Sequence, residues 1–144
     1  MTLVSKSLVR EIAQKCQDYG IGVFEPVSPQ TIADRTIWVG ELPDSAVQAI
    51  WLVESPSPPP HNYVDTEYTV IDFWVRSPNT DQAHALLELV YNTFHRKYSY
   101  DTANWHISFS RALGSIVDVD RDIEGGKLFR LSVQFICRNL NNVS

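Results

Sequence analysis

Long apolar runs are missing from this chain of 144 residues. No stretch approaches the roughly 18 apolar residues that a membrane-spanning helix needs. Met1 to Arg10 has no basic segment leading into an apolar block, so the expectation is a protein made and kept in cytoplasm. Cysteine is scarce: Cys16 and Cys137 stand far apart in the chain with no neighbouring thiol. That excludes a cysteine-based metal knuckle or redox pair and predicts two reduced core residues. Positive charge is also short, the net charge being −5 and the sequence pI near 5.2. An acidic chain offers no general basic field to neutralise phosphates, which disfavours nucleic-acid binding. It can still sit beside DNA without adhering to it.

What is present is the composition of a packed globular protein, with 44% hydrophobic, 11% aromatic and 20% charged residues. The length suits one domain over residues 1–144. Leu8, Val9, Ile12, Ala13 and Cys16 recur at three- and four-residue spacing, which predicts a helix over Leu3 to Tyr19 stopped by Gly20. A short extended piece follows at Gly22 to Pro26, and Ser28 to Arg35 reads as loop. Thr36 to Val39 and Ala46 to Glu54 are rich in Ile, Val and Trp and read as strands. Prolines 56, 58, 59 and 60 then remove amide donors and fix φ, so an exposed loop is expected at about 54–66.

From Tyr68 to Arg76, Thr69, Ile71, Phe73 and Val75 alternate with Tyr68, Val70, Asp72, Trp74 and Arg76. This predicts a central strand with large apolar groups on both sides, so that its second face must be covered in part by more chain or by a neighbour. A helix is expected to start at Asn79 or Thr80 and run to about Lys97, with Arg96 and Lys97 at the negative end of its dipole. Its buried stripe is Ala83, Leu86, Leu87, Val90 and Phe94. Trp105 to Arg111 reads as a strand whose polar side is His106, Ser108 and Ser110. Ser115 to Asp122 reads as another, and Phe129 to Cys137 as a third that forms a hairpin with it across Gly125-Gly126. The whole predicts an α+β fold in two layers, a mainly antiparallel sheet covered on one face by two amphipathic helices.

The residues that carry chemistry do not assemble into a recognisable set. The histidines 61, 84, 95 and 106 make no His-Glu-x-x-His pair, and His84 and His95 lie about three helical turns apart. Asp118, Asp120, Asp122 and Glu124 alternate as calcium ligands can. A calcium loop starting at Asp118 would need Gly and Glu where Ile123 and Phe129 stand, so a solvated acidic stripe is the better reading. Gly20-Ile21-Gly22 and Gly125-Gly126 match no phosphate-binding loop. The four tryptophans, 38, 51, 74 and 105, all fall in predicted strands. Core packing accounts for two or three of them, and any exposed remainder points to a partner surface.

The strand Ala49-Ile50-Trp51-Leu52-Val53-Glu54, an irregular loop, the strand ending Phe73-Trp74-Val75-Arg76-Ser77 and a helix with Ala83, Leu87, Val90-Tyr91 and Phe94-His95 follow one another in order. In this order and local pattern the chain resembles the tail terminators of long-tailed bacteriophages. The chain departs from the family's pattern at Ser55 and Pro56, where glycines often follow the glutamate, and its acidic turn before the last strand is matched loosely by Asp118 to Gly126.

The resemblance implies a non-catalytic virion protein without cofactor or metal. Its subunits would form a ring, a hexamer, on the last ring of the tail tube and stop its growth. The partners implied are further copies of the chain, the tail tube protein and a head-completion or connector protein, with DNA passing through the lumen unbound. Candidate ring or lumen contacts are His61, Asn62 and Tyr63 of the Pro-rich loop, the acidic Asp118, Asp120, Asp122 and Glu124, and Arg76 and Arg111 as bridges between subunits. Three other readings compete: a head-completion or connector protein of the phage neck, a small metal-dependent hydrolase using His106 with Asp118, Asp120 and Asp122, and a monomeric ligand-binding domain.

Overall fold

The computed structural model describes residues 8–21, 23–24, 36–39, 49–55, 67–77, 80–121 and 127–140. The elements run α1 Leu8–Asp18, β1 Val23–Phe24, β2 Thr36–Val39, β3 Ala49–Ser55, β4 Glu67–Ser77, α2 Thr80–Phe94, β5 Lys97–Asp101, β6 Trp105–Ala112, β7 Val117–Arg121 and β8 Lys127–Asn139. The fold is α+β, as the order of patterns predicts. One sheet carries the strands in the order β1-β2-β3-β4-β8-β6-β5, with β7 also on β8. The pairings from β3 onward are antiparallel, while β1-β2 and β2-β3 are parallel.

Strict alternation places one set of side chains on the helix side of the sheet. Ile71, Phe73 and Val75 of β4 and Phe129, Leu131, Val133, Phe135 and Cys137 of β8 are buried there, as are Ile50 and Leu52 of β3. Both helices turn their predicted stripes onto this set, and Leu8, Val9, Ile12, Ala13, Cys16, Ala83, Leu86, Leu87, Val90 and Phe94 all join one cluster. Phe94 is its hub, with Phe73 and Phe135 at ring-centroid distances of 5.7 and 5.6 Å. Burying each such side chain contributes about 1.5–3 kcal/mol.

The helix ends follow from backbone chemistry. Gly20 takes φ +80°, a conformation that costs a residue with Cβ, and the amide of Ile21 reaches back to the carbonyl of Cys16. Helix α2 stops at Phe94 rather than near Lys97, a correction to the dipole argument from Arg96 and Lys97. Arg96 has φ +57° and turns the chain out of the helix, so Lys97 opens β5, a strand the sequence pattern did not reveal. The orphan carbonyl of Phe94 is instead satisfied by the Ser110 hydroxyl at 2.7 Å.

Ser110 marks a second correction. It is fully buried rather than on a polar side, because a bulge at Ser108 shifts the β6-β8 register between Ile107 and Phe109 and inverts the alternation beyond it. Opposite that bulge, Ser99 of edge strand β5 has φ +48° and drops out of the pairing between Tyr98–Phe109 and Tyr100–Ile107. At the other end of β6, the buried Glu11 of α1 fixes the turn into the strand. Its carboxylate accepts from the Thr102 hydroxyl at 2.6 Å, the Asn104 amide N–H at 2.8 Å and the Asn104 side chain at 2.7 Å.

Candidate functional site

The side of the sheet turned away from the helices is built by the alternate residues of the same strands, and among the described residues none of them is fully buried. Registered pairing arranges them in rows that cross the strands. One row runs Trp51, Trp74, Arg130, Val117. The two indoles stack at 5.6 Å and 12°, and the Arg130 guanidinium lies 5.5 Å from the Trp74 ring. Another row runs Tyr68, Ile136, Phe109, Tyr98. Tyr68 is 49% and Tyr98 67% exposed, and Tyr98 packs against Phe109 at 4.7 Å.

Between these rows the face is polar. The Ser132 hydroxyl donates to Asp72 at 2.6 Å, and Arg111 donates to Gln134 at 3.1 Å. The chain between β6 and β7 bulges beside this strip, leaving a cleft of about 410 Å³. Asp72, Ser132 and Val70 line it together with Arg130, Leu113 and Val117. Half-buried aromatics and arginines around a polar strip have the composition of a surface that other chains cover.

The candidate residues fall in different places. Arg76 and Arg111 lie on this same face: Arg76 pairs with Leu128 and Arg111 with Gln134, six residues or about 20 Å apart along β8. Asp118 is exposed on β7, paired with Phe129 on the other side of the sheet. Asp120 belongs to β7 as well, while His61, Asn62, Tyr63, Asp122 and Glu124 lie outside the described residues. Among the tryptophans, Trp105 is in the core and Trp51 and Trp74 are half-buried on the helix-free face. Sequence reasoning did not single out Arg130, Arg138 or Phe109. The signal for Arg130 and Arg138 was their even placement along a strand whose odd residues from Phe129 to Cys137 are all apolar. For Phe109 no local signal existed, since the bulge that turns it outward is a matter of pairing.

The hydrolase set of four is not assembled by the described residues, Asp122 lying outside them. His106 pairs with Arg138 and Asp118 with Phe129, nine residues apart on β8 and so separated by about 30 Å. The neighbour of His106 is Asp101, at 2.6 Å. His95 accepts the Ala112 amide at 3.0 Å and stacks on Tyr91, which makes it part of the α2–β6 contact. Burial pushes the Cys16 thiol up, and pushes that of Cys137 up to about 12, the Thr69 hydrogen bond offsetting part of the rise. Both cysteines are free. At one end of the sheet, partial burial followed by the nearby Glu54 carboxylate raises the Glu67 carboxyl. Among the described residues no helix is long and apolar enough to cross a membrane.

Fold and face together define an α+β sheet protein with a closed core on one side and a half-exposed aromatic and charged face on the other. Residues 16–139 match the family described as bacteriophage tail terminator protein, and the chain belongs to that family. Membership makes it a structural component of a bacteriophage virion. A comparison with curated proteins gives no match.

Proposed function

We propose that the chain works as one subunit of a hexameric ring that caps the phage tail tube and joins it to the head, with DNA passing through the ring. The observation that carries this reading, beside the family, is the row of half-buried Trp51, Trp74 and Arg130 with the exposed Val117 on a face no described helix covers. A lone subunit leaves that surface in water, whereas a closed ring removes it. An acidic chain, net charge −5, suits a lumen through which DNA must slide.

In this reading His61, Asn62 and Tyr63 of the Pro-rich loop and Asp118, Asp120, Asp122 and Glu124 are contacts to the lumen or the ring neighbour. Arg76 and Arg111 bridge subunits. Electron microscopy of the purified protein tests the ring directly: closed particles with a central hole are expected, and a uniform 16.4 kDa species at every concentration overturns the proposal. Added to assembling tail tubes, the protein should cap them at a defined length. Tubes that grow on unchanged would count against the terminator role and favour a head-completion protein.

A further inference from the structure

The helix-free face carries an unexpected charge. Arg76, Arg111, Arg130 and Arg138 project on it, four of the chain's eight arginines, against the carboxylates of Asp72 and Asp101. In a chain of net charge −5 this is a local cationic surface, and it is floored by aromatic groups. Such a surface selects an acidic partner with some apolar area. The chain itself has one. The outward side of α2 presents Asp81 and Glu88, seven residues apart and so on one helical stripe, with Leu89 beside them 44% exposed.

We infer that the helix-free face of one subunit receives the outer side of α2 of a second copy, Arg111 and Arg138 meeting its carboxylates and the aromatic rows meeting Leu89. This deepens the ring reading and rests on it. The spacing fits: Asp81 and Glu88 lie about 10 Å apart along the helix axis. Gln134 and Arg138 of β8, which mark the positions of the two arginines, are about 13 Å apart. The reach of the guanidinium groups closes the difference. A contact between two different surfaces of one chain is heterologous, the kind that propagates around a ring. DNA is the other anion that a cationic face attracts. Arg130 held over the Trp74 ring and Arg111 bonded to Gln134 are preset in position, which suits a protein surface better than a flexible polyanion.

The test is charge exchange at exposed positions, read by sedimentation velocity on the full chain, with thermal melting to show that each variant folds. Arg111→Glu with Arg138→Glu should weaken self-association at least tenfold, Glu88→Arg should weaken it also, and the three together should recover part of the loss, since one of the two ion pairs is restored in reverse while Asp81 still faces a glutamate. If the wild type is monomeric throughout, the ring reading itself falls and takes this inference with it. If the wild type associates and the variants associate equally well, the ring stands and the assignment of its faces is overturned. Loss in the arginine variant without recovery on adding Glu88→Arg overturns α2 as the occupant. A gel shift of duplex DNA by the wild type that the arginine variant abolishes overturns it in favour of DNA.

Discussion

The two faces of the sheet are made by neighbouring residues of the same strands, yet they have been brought to different states. On the helix side, Ile71, Phe73, Val133 and Phe135 have no exposure at all, and polar groups enter only with partners, as Ser110 does between Tyr100 and Phe94. On the other side, Val70, Asp72, Trp74 and Ile136 remain half-exposed and mix charge with aromatic area. A closed face stores its free energy within the subunit. A half-closed one leaves part of its burial to be completed by contact, which is what an assembling subunit requires.

Four measurements can break or sharpen that contrast. The largest effect is expected at the hub of the closed face: Phe94→Ala should cost about 4 kcal/mol in chemical denaturation, since it leaves a cavity among Phe73, Phe135 and Tyr19. A small loss there would mean the helix layer is not tightly packed. Glu11→Ala should cost about 3 kcal/mol by the same measurement, because Thr102 and Asn104 lose the acceptor of their side-chain and amide donors.

Trp74→Ala, on the other face, should cost only about 1.5 kcal/mol of subunit stability, because solvent fills the space that the indole leaves. Its loss should be seen instead in particle size by light scattering. An effect on stability as large as that of Phe94→Ala would show that the two faces do not differ.

The smallest effect concerns Glu67, whose carboxyl is raised in the folded chain above its ordinary 4.5 by burial and by Glu54. The folded state therefore holds this proton more firmly than the unfolded one. Stability from this site is present below the ordinary value and declines as pH rises through it to the raised value. Glu67→Gln should be more stable than the wild type at pH 7, and the gain should disappear in acid melts well below pH 4.5.

Much of this architecture is legible in the chain wherever a local period has one explanation. The alternation in β4 and β8 and the stripe of α2 name their buried residues correctly because one face of each is dominated by large apolar side chains. The misreadings have physical causes. Arg96 and Lys97 look like dipole-complementing residues, and nothing in the neighbouring pattern signals that Arg96 adopts a left-handed φ and ends the helix first. Ser110 was assigned to the wrong side because one inserted residue at Ser108 reverses parity, which only pairing with β8 reveals. The parallel pairing of β1, β2 and β3 had no local sign, since a strand's own residues do not specify its neighbour's direction. The contact face was half legible. Trp51 and Trp74 announced surplus aromatic area, while its cationic character emerged only when distant arginines were brought onto one surface.

The left-handed residue in the outermost strand has a consequence for copies of this chain that meet at high concentration. A straight β5 would display a regular ladder of unpaired amides and carbonyls to which another strand could be added, and then another, building fibres instead of closed particles. Ser99, at φ +48°, breaks that ladder in its middle, with the bulge at Ser108 facing it across the pairing. The kink obstructs edge-wise growth on this side of the sheet, and in the proposed ring it leaves the broad face as the surface through which subunits meet.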